Sequence, residues 1–242
     1  MANATDAMRD KIVNYIRRNR ISTTEVADAL GKRGVLPNLS PIVLDEFRVG
    51  PVRCVFTSGN SNWGVHVQSP KTEPSEIVII FAHECDERAI IGDLVAKFIL
   101  LYRGAEALVV DGMVRDAARL RRERFPIWCT GFSPLGCVND EPEAHFPADR
   151  EAELRQNFEG GVAICDDGGV VVIPPYCLDE NMLERLERIE LQEDIWAYCL
   201  NTLKWNTQEI VCERRYLSSG ELLSPAHRET LSELQQRFTK KF

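Results

Sequence analysis

No apolar run in the 242 residues approaches the roughly eighteen that a membrane-crossing helix needs. The longest, around Phe98 to Tyr102, is far shorter. The start, Met-Ala-Asn-Ala-Thr-Asp, lacks a basic stretch followed by an apolar one, so no secretory signal is read and a cytoplasmic location is expected. Basic charge is in the minority, with Lys+Arg 29 against Asp+Glu 37 and a formal net charge of −8. A surface that wraps nucleic acid needs a basic stripe, so neither nucleic acid nor membrane is expected as a partner. The one basic cluster, Arg119, Arg121, Arg122 and Arg124, reads as a solvated helix face. Histidine is scarce, at 4 scattered positions, and the 8 cysteines form no C-x-x-C pair and no zinc-finger spacing. The thiols therefore read as reduced, buried, small hydrophobes, and a His or Cys zinc site is not expected. There is no P-loop, no Gly-x-Ser-x-Gly elbow and no dinucleotide fingerprint.

What is present is a globular composition: hydrophobic residues 44% and charged residues 27%. The length fits one large or two small domains. Residues 6–19 have apolar side chains at helical spacing. Ser22-Thr-Thr-Glu25 is a capping box, and its helix should end at Gly31 or Gly34. The run from Gly50 to Thr57 reads as a strand opened by turn residues. Glu76 to Ala82, rich in β-branched residues, and Ala107 to Gly112 read as buried strands. Between them, Gly92-Asp93 opens a helix through Tyr102 that is apolar nearly all round and is expected in the core. A second helix follows Val114-Arg115-Asp116 and stops before Pro126, and Ile127 to Thr130 is a short strand. This alternation predicts an α/β fold. Ser133 to Gly160 reads as a polar surface excursion. Gly161 to Cys165 and Val170 to Pro174 flank an Asp- and Gly-rich turn and form a hairpin. From 181 to 242 the chain is charged and helical, with a Ser-Ser-Gly break at 218–220.

Two helix starts follow two buried strands. At Gly92-Asp93-Leu94-Val95, unpaired amides and the helix dipole favour an anion, and Gly92 lets a ligand approach the backbone. At Arg115-Asp116 a guanidinium suits a carboxylate, and a lone carboxylate suits Mg²⁺ or Mn²⁺, which keep most of their waters. Together they would hold a small acid beside a metal. The same residues also serve plain structural ends, with Asp93 as a helix cap and Arg115 and Asp116 as surface charges.

Four segments in order carry a resemblance: Asp111-Gly-Met-Val-Arg115-Asp116, Phe125-Pro-Ile-Trp, Gly131-Phe-Ser-Pro, and Asp166-Asp-Gly-Gly followed by Val170 to Pro174. They resemble the family of 4-hydroxy-4-methyl-2-oxoglutarate aldolases and the regulator of ribonuclease activity A, the RraA-like family. Ile21 to Gly34 resembles that family's N-terminal helix, and Gly92-Asp93-Leu94 its substrate loop. The resemblance implies a compact layered α/β/α, swivelling-domain-like core spanning the chain as one domain. The helical extension 181–242 would pack on that domain or on a neighbouring subunit. It implies a homotrimer or hexamer with sites between subunits, and a divalent-metal-dependent lyase acting on a small keto-acid substrate. Such an enzyme cleaves 4-hydroxy-2-oxo acids to pyruvate and decarboxylates oxaloacetate on the side.

By position, Gly92, Asp93, Leu94 and Val95 would bind the substrate through backbone amides, and Arg115 would bind it and act in catalysis. Asp116 would be the metal ligand, and Asp93 would orient substrate or metal-bound water. Glu190, Glu193 and Asp194 of a neighbouring subunit are candidates to assist the base. Twenty-one residues separate Asp93 from Arg115, one more than the family pattern, and the extra one is placed at Phe98 to Tyr102 as a bulge or longer helix exit. The family's Pro-Gly-Asp before the late hairpin is replaced by Phe158-Glu-Gly-Gly161. The alternative function is a non-catalytic regulator that binds a ribonuclease or RNA-handling protein.

Overall fold

Runs of β-branched residues with no polar break must pair on both sides and be covered on both faces, and the chain arranges its strands accordingly. The structure is a computed structural model that describes residues 4–238. The chain divides into two compact units, Met1–Glu180 and Asn181–Phe242.

The first unit opens with α1 (Ala4–Asn19), which buries Ile12, Val13 and Ile16. The expected capping box then starts α2 (Thr23–Ala29). The α2 helix ends against Leu30 and Gly31, the latter at φ +72°. Two short strands, β1 (Val35–Leu36) and β2 (Ser40–Pro41), precede the long β3 (Arg48–Ser58). Next come α3 (Trp63–Gln68), β4 (Ile77–His83) and β5 (Ala89–Ile91). The α4 helix (Asp93–Lys97) runs straight into a π-helical turn, Phe98–Tyr102. Then follow β6 (Ala107–Val114), α5 (Ala117–Arg122), β7 (Ile127–Phe132), α6 (Ala148–Phe158) and the hairpin β8 (Val162–Asp166) and β9 (Gly169–Ile173).

The sheet has nine strands in the order β1-β9-β8-β3-β4-β6-β7-β2, with β5 pairing the far end of β6. The run β3-β4-β6-β7 is parallel, whereas β8 meets β3 antiparallel. Its two end strands, β1 and β2, are joined by only three residues, so the sheet must curl until its ends meet. Side chains alternate between the faces. Val55, Val78, Ile80, Leu108, Val110 and Ile127 pack with α3, α4 and α5 on one face. Cys54, Ile77, Ile79, Val109 and Trp128 point to the other and meet Ala163, Cys165 and Val172 of the hairpin. Trp128, fully buried on β7, donates from Nε1 to the Asp166 carbonyl of β8 at 2.7 Å and so links strands far apart in the sheet order. The expected α/β core is therefore present.

Four local readings are corrected. The 93–102 helix is not sealed in the core. Val95, Ala96, Ile99 and Leu100 are buried, but Leu94, Leu101 and Tyr102 are 77%, 61% and 76% exposed. Apolar composition fixes no face, and here half of it looks outward. The segment 133–160 is not merely a surface excursion, since Gly136 bridges Ala89, Val138 bridges Ser61, and α6 lays Leu154 and Phe158 on the core. Strand β6 runs past Gly112 to Val114 because β5 pairs with its end. The basic cluster is not simply solvated: Arg121 stacks over Phe132, Arg124 pairs with Glu46, and Arg119 pairs with Asp93.

The second unit holds α7 (Glu180–Asn201) and α8 (Pro225–Phe238), joined by single π and 3-10 turns. Its own core is Ile195, Cys199, Trp205, Ile210, Tyr216, Leu223, Leu231 and Leu234. Arg237 ties the helices by pairing with both Glu187 and Glu233. Among the described residues no helix is long and apolar enough to cross a membrane.

Trp128→Phe tests the closure of the sheet. It strands the Asp166 carbonyl and leaves a void, so urea denaturation should show a loss of about 2–4 kcal/mol. A loss below about 1 kcal/mol would mean that Trp128 does not hold the hairpin.

Candidate active site

The site forms where β5 and β6 end side by side. Ile91 pairs with Val114, and Arg115 N–H donates to the Ile91 carbonyl at 2.9 Å. That register sets the next residues of each strand, Gly92 and Arg115, against one another. Both strands then turn into helices, so two helix starts converge outside the carboxyl ends of parallel strands, the place where such sheets bind ligands.

The two starts are joined by one residue. Asp116 sits in the left-handed region at φ 61°, ψ 32°, which Asp tolerates better than most side chains. Its carboxylate makes no cap bond to α5. Instead Asp116 Oδ2 accepts the Asp93 N–H at 3.0 Å, the first amide of the neighbouring helix. Gly92 is required in between, since a Cβ there would collide with Asp116 Oδ2 and press on Arg115 Cγ and Nε at 3.0 Å. The amides of Leu94 and Val95 find no acceptor among the described residues and remain available.

Arg115 lies loosely beside Asp116, Nε to Oδ2 3.8 Å, and is about half exposed. Its guanidinium rests on the backbone of Gly136, where a Cβ would come within 2.6 Å of Nη1. Asp93 does not face an empty site, because its Oδ2 lies 2.8 Å from Arg119 Nη1. At the exposure of these groups such a pair is worth only about 0–1 kcal/mol, so a ligand can displace it. The four charges, Arg115, Arg119, Asp93 and Asp116, sum to zero.

These groups open onto one cavity of about 420 Å³, lined by Gly92 to Val95, Arg115 and Asp116. All six residues singled out from the sequence therefore reach one place. Asn62, His66 and Cys137 join them from elsewhere in the chain. Asn62, 9% exposed, donates from Nδ2 to the Ile90 carbonyl at 3.2 Å, while its Oδ1 has no partner among the described residues. Arg119 had no readable signal, because its partner Asp93 opens a different helix, α4, and only the fold sets the two side by side. Asn62 and Gly136 had none, since only the tertiary fold brings them in. Glu190, Glu193 and Asp194 lie on α7 in the second unit, where Asp194 Oδ2 is 3.6 Å from His227 Nε2.

Among the described residues no three His, Cys, Asp or Glu side chains cluster as a ligand set. An ion bound wholly by protein side chains does not fit. A hydrated Mg²⁺ or Mn²⁺, needing one or two carboxylates and keeping its waters, does fit Asp116 at the open cavity.

The pattern of the RraA-like family, Aldolase/RraA, matches residues 23–172. A protein of Halalkalibacterium halodurans provisionally named 4-hydroxy-4-methyl-2-oxoglutarate aldolase is 27% identical over 191 residues, 75% of this chain and 86% of its own length. Among solved structures, an uncharacterized protein from Pseudomonas syringae pv. tomato aligns at TM-score 0.60 and 19% identity, over 76% of this chain and 85% of its own. RraAS2 of Streptomyces coelicolor, described as an unusual member of the RNase ES inhibitor RraA protein family, aligns at TM-score 0.59 and 23% identity, over 76% and 95%.

The backbone at Asp116 can be tested without assuming any activity. Asp116→Asn tolerates the left-handed conformation, whereas the β-branched Asp116→Val does not. Valine should cost about 2 kcal/mol more than asparagine in urea denaturation. Equal costs would mean that residue 116 is not held at positive φ.

Proposed function

Because the chain belongs to the RraA-like family, we propose that it is a divalent-metal-dependent carbon–carbon lyase that cleaves 4-hydroxy-2-oxo acids to pyruvate and a second 2-oxo acid. The observation that carries this reading is the convergence of free helix-start amides, a guanidinium and a lone carboxylate on one cavity. Each part has a task in a retro-aldol cleavage. Arg115 forks onto the substrate's carboxylate, a charge-assisted contact worth about 1.5–3 kcal/mol. The amides of Leu94 and Val95 take the oxygens at the keto end, where negative charge builds as the C3–C4 bond breaks and its electron pair moves toward C2. Asp116 would hold the divalent cation, Mg²⁺ or Mn²⁺, which when bound supplies Lewis-acid stabilisation of that charge. Asp93, paired with Arg119, holds the helix start in place and can turn toward substrate at little cost. The 4-hydroxyl proton passes to water in the cavity, aided by Glu190, Glu193 or Asp194 of a neighbouring subunit. The same charge develops when oxaloacetate loses CO₂, so decarboxylation is expected as a side activity.

The decisive assay is pyruvate release, coupled to lactate dehydrogenase, with 4-hydroxy-4-methyl-2-oxoglutarate and oxaloacetate, in Mg²⁺ and in EDTA. Turnover should require the metal. Asp116→Asn and Arg115→Ala should each lower kcat/KM by about 100-fold or more while remaining folded. If folded, metal-loaded protein turns over neither acid, the lyase reading fails and the ribonuclease-regulator reading replaces it.

The exposed apolar side of the 93–102 helix supports assembly of identical subunits. Leu94, Phe98 and Tyr102 border a second cavity of about 410 Å³ with His66 and Pro70. A contiguous apolar face of this kind marks a contact surface, and it shares Leu94 and Val95 with the first cavity. A trimer or hexamer that covers it would close the site. Leu101→Glu combined with Tyr102→Lys should shift the light-scattering mass to that of a monomer and lower pyruvate release. A monomeric wild type would overturn the assembly.

A further inference from the structure

The proposed cleavage removes one proton from the substrate's 4-hydroxyl, and the titratable side chains lining the cavity are His66, Asp93, Arg115, Asp116 and Cys137. Asp93 pairs with Arg119, and Asp116 accepts the Asp93 N–H. Arg115 has no lone pair to offer, because a guanidinium stays charged. A thiol such as Cys137 is ordinarily protonated at neutral pH. His66 is exposed, and its ring makes no hydrogen bond, ion pair or stacking contact among the described residues.

The two faces of α3 fix where that ring stands. One face lies against β3. A Cβ on Gly64 would come within 2.2 Å of the Phe56 carbonyl oxygen, and Gln68 Nε2 donates to that same carbonyl at 2.8 Å while its Oε1 accepts the Phe56 N–H at 3.3 Å. Residues 64 and 68 are one turn apart, so residues 62 and 66 share the opposite face. Asn62 ties that face to the end of β5, its N–H donating to the Val138 carbonyl at 2.9 Å and its Nδ2 to the Ile90 carbonyl at 3.2 Å, two residues before Gly92. His66 follows one turn later and lines the cavity together with Leu94 and Val95, whose amides lack acceptors among the described residues. The helix is thus clasped on both sides, and the imidazole is the group it leaves without a partner.

Resting on the lyase reading, we infer that His66 is the catalytic base of the cavity: it takes the 4-hydroxyl proton through one cavity water and returns it to C3 of the product. A neutral imidazole always keeps one nitrogen free to accept. Histidine also ordinarily titrates nearest neutrality, so one ring both takes and gives a proton at little cost. In the cleavage the O–H bond breaks and its electron pair forms the C4 carbonyl. The C3–C4 bond breaks and its pair moves through C2 to the keto oxygen. The imidazolium then gives its proton to C3 as the enolate collapses to pyruvate, so no proton is gained or lost overall. Oxaloacetate carries no 4-hydroxyl, and its C4 leaves as CO₂ with no proton to remove. His66 therefore acts in breaking the aldol and not in breaking the bond of the decarboxylation, whereas Arg115 serves both.

Pyruvate release by the full chain in Mg²⁺ is measured on 4-hydroxy-4-methyl-2-oxoglutarate and on oxaloacetate for the wild type, His66→Ala and His66→Gln. In both variants kcat for the hydroxy acid should fall by about 100-fold or more with KM little changed, and far more than kcat for oxaloacetate. Added imidazole should restore part of the lost turnover in His66→Ala, which leaves room for it, and none in His66→Gln. A merely structural role would move both reactions alike and would not respond to imidazole. Glutamine keeps the bulk of the side chain, so that variant decides even if the alanine variant fails to fold. Three results would overturn the assignment: equal losses on both acids without rescue, full aldol turnover in both variants, or a rise in KM alone. Full turnover would hand the proton to Glu190, Glu193 or Asp194 of a neighbouring subunit. In each of these results the wild type still releases pyruvate and the lyase reading stands, whereas a folded wild type that turns over neither acid removes both.

Discussion

The candidate site hangs on one hydrogen bond, from the Asp93 N–H to the Asp116 carboxylate across Gly92. It joins two strand-to-helix turns that would otherwise end independently. Its requirements explain three sequence choices. Residue 116 must be short, anionic and tolerant of positive φ, and Asp meets all three. Residue 92 must lack a Cβ. Residue 115 must leave a strand whose partner ends at Ile91. A charge-assisted bond of about 1.5–3 kcal/mol covers the roughly 1–2 kcal/mol that a left-handed residue costs. The turn is thus nearly neutral in stability and serves to aim a carboxylate.

That aim decides what the cavity can accept. The Asp116 carboxylate sits at the positive end of the 93–102 helix, where a negative charge is favoured, and it leaves two further amides without acceptors. Arg115 is held by contact with Gly136 rather than by a close ion pair, since 3.8 Å to Asp116 is too long for a hydrogen bond. Its donors are therefore open to an incoming carboxylate. Asp93 is neutralised by Arg119, so an anionic substrate meets one uncompensated carboxylate, Asp116, at the position where a cation would bind.

Much of this was legible because neighbouring parallel strands keep sequence order. The runs 77–82 and 107–110 are apolar without interruption, so they had to pair centrally, and the glycine and the Arg-Asp that follow them had to emerge at one end. The capping box was equally readable, because it is a contact within four residues. Long-range placements were not. Polar composition hid α6 and the wall-forming Gly136 and Cys137 within 133–160. Uniform hydropathy could not separate the buried face of the 93–102 helix from its exposed one. Arg119 looked solvated until the fold set its guanidinium against Asp93.

The one-residue-longer spacing of Asp93 and Arg115 that the resemblance implies bears on how the site and its surroundings are decoupled. The structure has a π-helical turn at Phe98–Tyr102, where the resemblance placed that residue, with Arg103 N–H reaching back five residues to the Phe98 carbonyl at 3.0 Å. An insertion near Gly92 would have moved the helix start off Asp116. An insertion in β6 would have turned every following side chain to the opposite face. At the helix exit it does neither. The first turn keeps its register against Arg115, and the wider turn presents Leu101 and Tyr102 outward. The π-helical turn therefore leaves the chemistry-bearing end of the element alone and shapes only its exposed apolar face.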